Sequence, residues 1–276
     1  MFKDTMLDPA GPVSAATRDL FFDSVGLMLI VVLPVIVLTA LVVWRYRAGN
    51  AAAAYTPHWG GSRLVELGLW FLPVLIVVML WFVVWNRTHD LDPYKPLSSG
   101  QPPLVVQAVA LDWQWLFIYP EENIASVNRL VFPVGRPVTI ELTSDSVMNS
   151  LMIPALGGQI YAMAGMQTEL NLMADRIGIY DGRNTMFNGD GFSAQVFNAE
   201  AVDVAAFQAF VAEARNAGET LDGGSFKTLS TPTIAGPVRL YSGVEDGLFQ
   251  SIIASHGSMP HMEADTTTAP HAEHNP

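Results

Sequence analysis

The stretch "LVVQAVALDWQWLFIY", residues 104–119, decides the fold of the larger part of this chain. It is rich in β-branched and aromatic residues, the types that favour β-strands. Its alternation predicts one strand that carries a set of large apolar side chains on a single face. The set is Val109, Leu111, Trp113, Trp115 and Phe117. Such a face has to be buried, so we expect this strand to pack against other strands.

Five further runs with strand character follow, separated by Gly, Pro, Asn and Asp. They are residues 126–135, 136–144, 150–156, 168–175 and 192–201. Short strands at this spacing, each ended by turn residues, are typical of a sandwich or a barrel. We therefore predict an all-β domain over residues 104–202, built as a compact antiparallel sandwich or Greek-key barrel.

The character of the sequence changes at Asp203. The run "DVAAFQAFVAEARNAG" predicts a helix with Asp203 as its N-cap and Gly218 near its end. One helical face carries Val204, Phe207, Phe210 and Val211. A second helical pattern, "VEDGLFQSIIASHG", follows a connection rich in Gly, Ser, Thr and Pro, so residues 203–255 are predicted to form a helical arm.

Residues 256–276 are polar, contain proline and are predicted to be a disordered tail. This tail holds side chains that bind soft or borderline metals weakly. They are His256, Met259, His261, Met262, His271 and His274. Solvated disorder is the interpretation that this composition favours over a metal site.

Upstream of the β-domain lie two uncharged runs, residues 25–44 and 67–85. At about 1.5 Å per residue, each is long enough to cross the roughly 30 Å hydrocarbon core of a bilayer. We predict transmembrane helices over residues 21–46 and 63–87. Residues 47–62 then form the loop between them, and the proline-rich residues 88–103 form a linker to the β-domain.

The connecting loop fixes the orientation of the two helices. Together with its flanks, over residues 45–63, it contains Arg45, Arg47 and Arg63 and no acidic residue, which places it in the cytoplasm by the positive-inside rule. Both termini and the β-domain then lie outside. The external part carries the whole formal charge of −12. An acidic surface of this kind excludes nucleic acid as a partner.

Residues 1–20 are predicted to be an external N-terminal segment. They mix Lys3 with Asp4, Asp8 and Asp19, which is unlike the charge pattern of a signal peptide. An external N-terminus normally needs a cleaved signal. We therefore expect that the N-terminus of the mature protein either results from processing or differs from Met1.

Metal-ligating residues are missing where a metal site would need them. The chain has no Cys, and residues 90–255 contain no His, so an external domain has almost no means to hold copper, zinc, haem or an iron–sulfur cluster. The Gly- and Asn-rich stretch "DGRNTMFNGDGFSAQ", residues 181–195, fails the pattern of a calcium-binding EF-hand loop. On these residues alone it is a structural turn.

Two other features allow alternative interpretations. Glu66 comes one residue before the second uncharged run, at its cytoplasmic end. It either complements the dipole of the helix or feeds protons into a neighbouring protein. Trp113 and Trp115 form either part of the core or a route for electrons.

Three phrases of the sequence resemble subunit II of the haem–copper terminal oxidases. They are "LDWQW", "SVMNSLMIPALGGQIYAMAGM" and "GIYDGRNTMFNGDGF", and the resemblance covers roughly residues 7–255. It implies a two-helix transmembrane hairpin, an all-β cupredoxin-like (Greek-key) external domain and a C-terminal helical arm.

The cytochrome c oxidases of this superfamily carry a dinuclear copper centre with the pattern "HSxxxP" followed by "CxExCGxxHxxM". Laid over this chain, the ligand positions hold other residues. They are Asn149, Asn184, Met186, Asn188, Phe192 and Gln195. The loss of every ligating side chain is similar to the bo-type ubiquinol oxidases, whose subunit II has the same fold without copper.

The resemblance implies a subunit of a proton-pumping ubiquinol:oxygen oxidoreductase in the bacterial inner membrane. The large subunit I would hold two haems and one copper, and this chain would bind no cofactor. Its partners would be subunit I, other small membrane subunits and lipid, but not cytochrome c. Glu66 matches an acid at the cytoplasmic mouth of a proton channel. Trp113 and Trp115 match the electron-entry strand of the copper-bearing relatives, here without copper ligands beside it.

Two alternatives stay open from the sequence. The first is a cytochrome c oxidase subunit II that receives electrons through copper. The second is a free membrane-tethered binding module that has reused the cupredoxin fold. One departure from the bo-type pattern concerns the N-terminus, because these subunits usually carry a lipid-modified Cys there and this chain has none.

Overall fold

The computed structural model describes residues 5–50, 61–97 and 99–257. Most of the predicted cytoplasmic loop and nearly all of the predicted tail lie outside these residues. The described part consists of two long apolar helices, a two-sheet β-domain and an arm of short elements around it.

The two apolar helices are α1 (Pro12–Arg45) and α2 (Arg63–Asp90), and both are long and apolar enough to cross a membrane. Each extends beyond its predicted bounds on the side of the β-domain. Helix α1 begins at Pro12 rather than at residue 21, because proline is well suited to the first position of a helix. Helix α2 ends at Asp90 rather than at residue 87.

The residues before and within the first turn of α1 lie against the β-domain. The Ala10 N–H donates to the Ala155 carbonyl at 2.7 Å, and the Ser14 hydroxyl donates to the Pro154 carbonyl at 3.0 Å. Gly11 is required here, since a Cβ at this position would lie 2.1 Å from the Met173 carbonyl oxygen. Residues 8–14, which span the end of the predicted external segment, are therefore fixed to the β-domain.

The β-domain contains two sheets. The strands are β1 (Leu104–Leu111), β2 (Gln114–Tyr119), β3 (Ile124–Val127), β4 (Arg129–Pro133), β5 (Val138–Ser144), β6 (Asn149–Ile153), β7 (Gly157–Ala162), β8 (Thr168–Leu172), β9 (Gly178–Asn184) and β10 (Val196–Val202), and the arm adds β11 (Thr220–Leu221), β12 (Arg239–Tyr241) and β13 (Gly243–Val244). One sheet has the order β12-β3-β2-β1-β5-β8, and the other has the order β4-β10-β9-β6-β7. The prediction of an antiparallel sandwich needs one correction, because β1 pairs with β5 and β4 pairs with β10 in parallel.

The prediction of one strand over residues 104–119 is wrong. The chain turns back at Asp112 and Trp113, and Trp113 has a φ of 66°, so β1 and β2 form a hairpin. The turn reverses which side chains share a face. Trp115 and Phe117 point into the core between the sheets, whereas Val109 and Leu111 belong to a second apolar cluster under the arm.

Tyr119 ties the two sheets together inside the core. Its hydroxyl donates to the Val131 carbonyl at 3.1 Å and accepts from the Val131 N–H at 2.8 Å. Burial raises the pKa of this phenol well above its ordinary value, so the hydroxyl remains a neutral donor under all ordinary conditions. The sequence pattern marked Tyr119 as part of the strand but gave no sign of this pairing.

The arm is only partly helical, in contrast to the prediction for residues 203–255. Its helices are α3 (Val204–Arg215), α4 (Gly223–Leu229) and α5 (Leu248–Ser255). The N-cap at Asp203 is confirmed, since its carboxylate accepts from the Ala206 N–H at 2.7 Å. Phe207 and Phe210 are buried as predicted, but Val204 is exposed. Strand β12 joins the edge of the six-stranded sheet, which the sequence pattern did not indicate.

Candidate functional site

Four of the six positions that match copper ligands meet at one end of the five-stranded sheet. Strands β10, β9 and β6 are neighbours there. Asn149 is the first residue of β6, Asn184 is the last residue of β9, and Gln195 comes just before β10. The loop between β9 and β10 brings Asn188 back over these strand ends. It is closed by the Asn184 N–H, which donates to the Gln195 carbonyl at 3.1 Å.

The four side chains form a closed set of hydrogen bonds, which we call the carboxamide square. The Asn184 Nδ2 donates to the Asn149 Oδ1 at 2.9 Å and to the Gln195 Oε1 at 2.8 Å. The Asn188 Nδ2 donates to the same two oxygens, at 2.7 Å each. Each amide nitrogen thus bridges both oxygens, and no metal is needed to hold the loop against the sheet.

Further hydrogen bonds fix the corners of the square. The Asn184 Oδ1 accepts from the Ser150 N–H at 2.9 Å and from the Met186 N–H at 3.0 Å. The Met186 carbonyl, which stands where the resemblance expects a carbonyl ligand, accepts from the Asn184 Nδ2 at 2.8 Å. The Gln195 Nε2 donates to the Leu111 carbonyl at 3.2 Å, which connects the square to the hairpin of the other sheet.

Phe192 is the one ligand position that lies apart from these hydrogen bonds. Its ring packs against Phe187 with centroids 5.6 Å apart, and Phe187 is 75% exposed. The structure therefore brings together the side chains of Asn149, Asn184, Asn188 and Gln195 with the backbone of Met186. It leaves Phe192 on the outer side of the loop.

The glycines of the loop make room for Trp113. A Cβ at Gly191 would lie 2.2 Å from Cδ2 of this indole, and a Cβ at Gly189 would lie 3.5 Å from its Cζ2. Gly189 also has a φ of 109°, a conformation that other residues rarely adopt. The loop is thus shaped to receive one aromatic ring. Trp115, in contrast, lies in the core against Phe197, with centroids 5.8 Å apart.

The residues of the square do not fit a copper centre. Copper in electron-transfer sites is held by thiolate, imidazole and thioether groups, which are softer donors than a carboxamide. The oxygens of Asn149 and Gln195 and the nitrogens of Asn184 and Asn188 also serve one another already. Among residues 5–50, 61–97 and 99–257, no group of three or more His, Cys, Asp or Glu side chains lies close enough to hold a metal ion.

Glu66 lies far along the chain from the square, in the first turn of α2. Its side chain is exposed, and its N–H donates to the carbonyl of Ser62, the residue before the helix, at 2.9 Å. An acid in this position complements the partial positive charge of a helix N-terminus. The position is also compatible with contact to a neighbouring membrane subunit.

The role of Ser144 beside the square, and the contact between three rings near the end of α2, were not predicted from the sequence. Ser144 is buried and accepts from the Asn149 Nδ2 at 3.3 Å, but nothing in "LTSDS" marks it. Trp81, Trp85 and His89 line up along α2, and their spacing of four residues is a signal that the sequence did contain.

Two family models match the chain. "Cytochrome C oxidase subunit II, periplasmic domain" matches residues 121–202, and "COX Aromatic Rich Motif" matches residues 215–256. The first covers most of the β-domain. The second covers most of the arm, including β12 and α5.

Curated relatives resemble the chain over nearly its whole length. The cytochrome bo(3) ubiquinol oxidase subunit 2 of Pseudomonas putida is 46% identical over 255 residues, which are 92% of this chain and 81% of that one. The ubiquinol oxidase subunit 2 of Acetobacter aceti is 44% identical over 95% of this chain and 85% of that one.

A solved structure also aligns with the chain. The periplasmic domain of subunit II of cytochrome oxidase from Bradyrhizobium japonicum aligns with a TM-score of 0.39 and 21% identity. The alignment covers 42% of this chain and 96% of that one.

Proposed function

Since this chain belongs to the family of ubiquinol oxidase subunit 2, we propose that it supports the large subunit of a quinol oxidase without carrying electrons itself. In the complex, ubiquinol is oxidised to ubiquinone and oxygen is reduced to water. The large subunit supplies the haems and the copper for this chemistry. This chain anchors the assembly in the inner membrane and presents its β-domain on the periplasmic side.

The observation that carries this proposal is the carboxamide square. A subunit that passes electrons from a soluble donor needs a redox centre in its external domain. Here the ligand positions hold amides, and four of these amides hydrogen-bond to one another. Electrons that enter from a quinol within the membrane make an external redox centre unnecessary, whereas electron entry from cytochrome c would depend on one.

Purification of the intact complex through a tag on this chain tests the proposal. We expect a haem-bearing large subunit to accompany the chain and quinol-dependent oxygen consumption to accompany both. Copper should be accounted for by the large subunit alone. Stoichiometric dinuclear copper in this chain, detected by electron paramagnetic resonance, would support the cytochrome c oxidase alternative. Recovery of the chain without a haem-bearing partner would support the free binding module.

We further propose that Glu66 assists proton entry at the cytoplasmic side. Glu66→Gln removes the ionisable group but keeps the size of the side chain, so turnover should slow severalfold and proton uptake should slow with it. Stopped-flow measurement of proton uptake by the purified complex tests this. Glu66→Asp should restore most of the rate, and Glu219→Gln, an exposed change on the arm, should have no effect. Unchanged turnover in Glu66→Gln would mean that Glu66 only complements the dipole of α2.

We propose a structural role for Trp113. Trp113→Phe keeps an aromatic ring over Gly189 and Gly191 but leaves part of the space unfilled, so we expect a loss of about 1 kcal/mol in unfolding free energy. Turnover at saturating quinol should stay the same. Thermal unfolding and oxygen consumption of the same preparation measure both quantities. A large loss of turnover in a fully assembled complex would instead assign Trp113 to electron transfer.

A further inference from the structure

The loop between β9 and β10 contains the one Asn-Gly pair of the sequence, Asn188–Gly189. An asparagine that precedes a glycine is especially prone to spontaneous loss of its side-chain amide. In this reaction the backbone nitrogen of the second residue attacks the side-chain carbonyl carbon of the asparagine. A glycine has no Cβ to hinder the attack, and its backbone adopts the required conformations readily. The pair is therefore a candidate for covalent modification inside the carboxamide square.

The attacking nitrogen is available in this structure. Among the residues that the structure describes, no group accepts a hydrogen bond from the N–H of Gly189. Gly189 is half-buried, and the next residue, Asp190, is exposed. Water and hydroxide can therefore reach the backbone at this point, and the nitrogen has no hydrogen bond to give up before it reacts.

The side chain of Asn188, in contrast, is held in an unreactive state. Its Nδ2 donates to the Asn149 Oδ1 and to the Gln195 Oε1 at 2.7 Å each, so ammonia can leave only after both hydrogen bonds break. Its Oδ1 is buried and accepts from none of the described groups, and the nearby indole N–H of Trp113 is likewise buried without a partner. The negative charge that develops on this oxygen during the attack would thus be buried without a donor. The closed square therefore opposes the reaction, and opening of the loop permits it.

The reaction exchanges an amide for an acid without any redox step. The nitrogen of Gly189 forms a bond to Cγ of Asn188, the bond from Cγ to Nδ2 breaks, and ammonia leaves with the hydrogen of the Gly189 N–H. Water then opens the resulting cyclic imide at one of its two carbonyl carbons. The product is aspartate or isoaspartate, and in isoaspartate the backbone runs through the former side chain.

The product cannot rebuild the square. A carboxylate only accepts hydrogen bonds, so the Asn149 Oδ1 and the Gln195 Oε1 would each lose one of the two donors that they have now. Both oxygens would also lie beside a negative charge. Isoaspartate would in addition lengthen the backbone of a loop whose glycines are closely packed around Trp113. The modification is thus irreversible in its effect on the loop.

We propose that Asn188 is a site of spontaneous deamidation that the carboxamide square protects. The rate of the reaction at Asn188 is then set by how often the loop opens. Each completed reaction leaves the external domain with a permanent defect at the ends of β6, β9 and β10. This inference concerns the square alone and does not depend on the electron donor of the complex.

The wild-type protein gives the first test. The purified complex, and the same full-length chain unfolded in guanidinium chloride, are incubated at one mildly alkaline pH. Trypsin then releases residues 184–215 by cleavage after Arg183 and Arg215, and mass spectrometry follows the exchange of amide for acid at position 188. We expect this exchange to be at least about tenfold slower in the folded complex, because two hydrogen bonds must break first. Asn198 lies in the same peptide before an alanine and should stay unmodified in both samples.

Variants of the complex test the role of the square. Gln195→Met keeps a side chain of similar length but removes one acceptor of the Asn188 Nδ2, so the folded complex should react about three- to tenfold faster. Asn198→Ala, the matched control outside the square, should keep the wild-type rate. Asn188→Gln keeps a carboxamide but forms a larger imide ring far more slowly, so position 188 should stay unmodified. Asn188→Asp installs the product and should lower the unfolding temperature of the domain.

Several results would overturn the proposal. Equal rates in the folded complex and in the unfolded chain would mean that the square gives no protection. A faster reaction in the folded complex would mean that the loop promotes the attack. A wild-type rate in a folded Gln195→Met complex would assign the protection to another feature of the loop. If Gln195→Met does not fold, the comparison of folded and unfolded wild type decides the question alone.

Discussion

Asn184→Ala is expected to lower the free energy of unfolding of the β-domain by about 3 kcal/mol, because buried hydrogen-bonding groups lose their partners. Asn184 is 4% exposed. Its side chain bonds both oxygens of the carboxamide square and accepts from the backbone N–H groups of Ser150 and Met186. Because the β-domain has about 100 residues, a loss of this size corresponds to a fall of about 12–24 °C in its unfolding temperature.

Thermal unfolding of the full chain in detergent, followed by tryptophan fluorescence, measures the effect. The matched control is Asn198→Ala, which removes an exposed carboxamide from β10 and should change the unfolding temperature little. Asn184→Asp should also destabilise the domain, because a carboxylate cannot donate to Asn149 and Gln195. If Asn184→Ala and Asn198→Ala unfold at the same temperature, the square does not stabilise the domain.

Gly182→Ala is expected to destabilise the domain by about 3 kcal/mol, the upper end of the usual cost of overpacking. Gly182 pairs with Phe197 across β9 and β10, and a Cβ at Gly182 would lie 2.1 Å from Cζ of that ring. The ring has little freedom to move, since it is 3% exposed and packs 5.0 Å from Phe117 and 5.8 Å from Trp115, measured between centroids.

Chemical denaturation of the same full-length protein measures this change. Gly243→Ala is the control, because it places a Cβ in a strand at an ordinary 3.5 Å from the Cγ2 of Thr220. Phe197→Leu in the Gly182→Ala background should recover part of the stability by making room for the methyl group. A Gly182→Ala protein as stable as the wild type would mean that the core adapts around Phe197.

The general architecture could be predicted because composition determines it locally. Each long uncharged run specifies an apolar helix, and the series of short alternating runs specifies a β-domain. Neither conclusion requires knowledge of the tertiary contacts. The hairpin at Trp113 could not be predicted in the same way. Residues 104–119 alternate without interruption, and the turn depends on a positive φ at a tryptophan, which its sequence neighbours do not indicate. The parallel pairs likewise depend on contacts between distant segments.

The site was predictable only in part. The resemblance named Asn149, Asn184, Asn188 and Gln195 as former ligand positions, but their mutual hydrogen bonds depend on how three strand ends converge. Ser144 takes part through tertiary contact alone. The four-residue spacing of Trp81, Trp85 and His89 was visible in the sequence. The contact between their rings was not predicted, because tryptophan at a membrane boundary also serves as an ordinary anchor.

The carboxamide square has a consequence for how the protein matures. A domain completed by its own amides can reach its final state through folding alone, without a metallochaperone, a thiol reductant or a supply of copper outside the cell. Each corner of the square is held by hydrogen bonds between carboxamides and backbone groups, which do not change with the redox conditions.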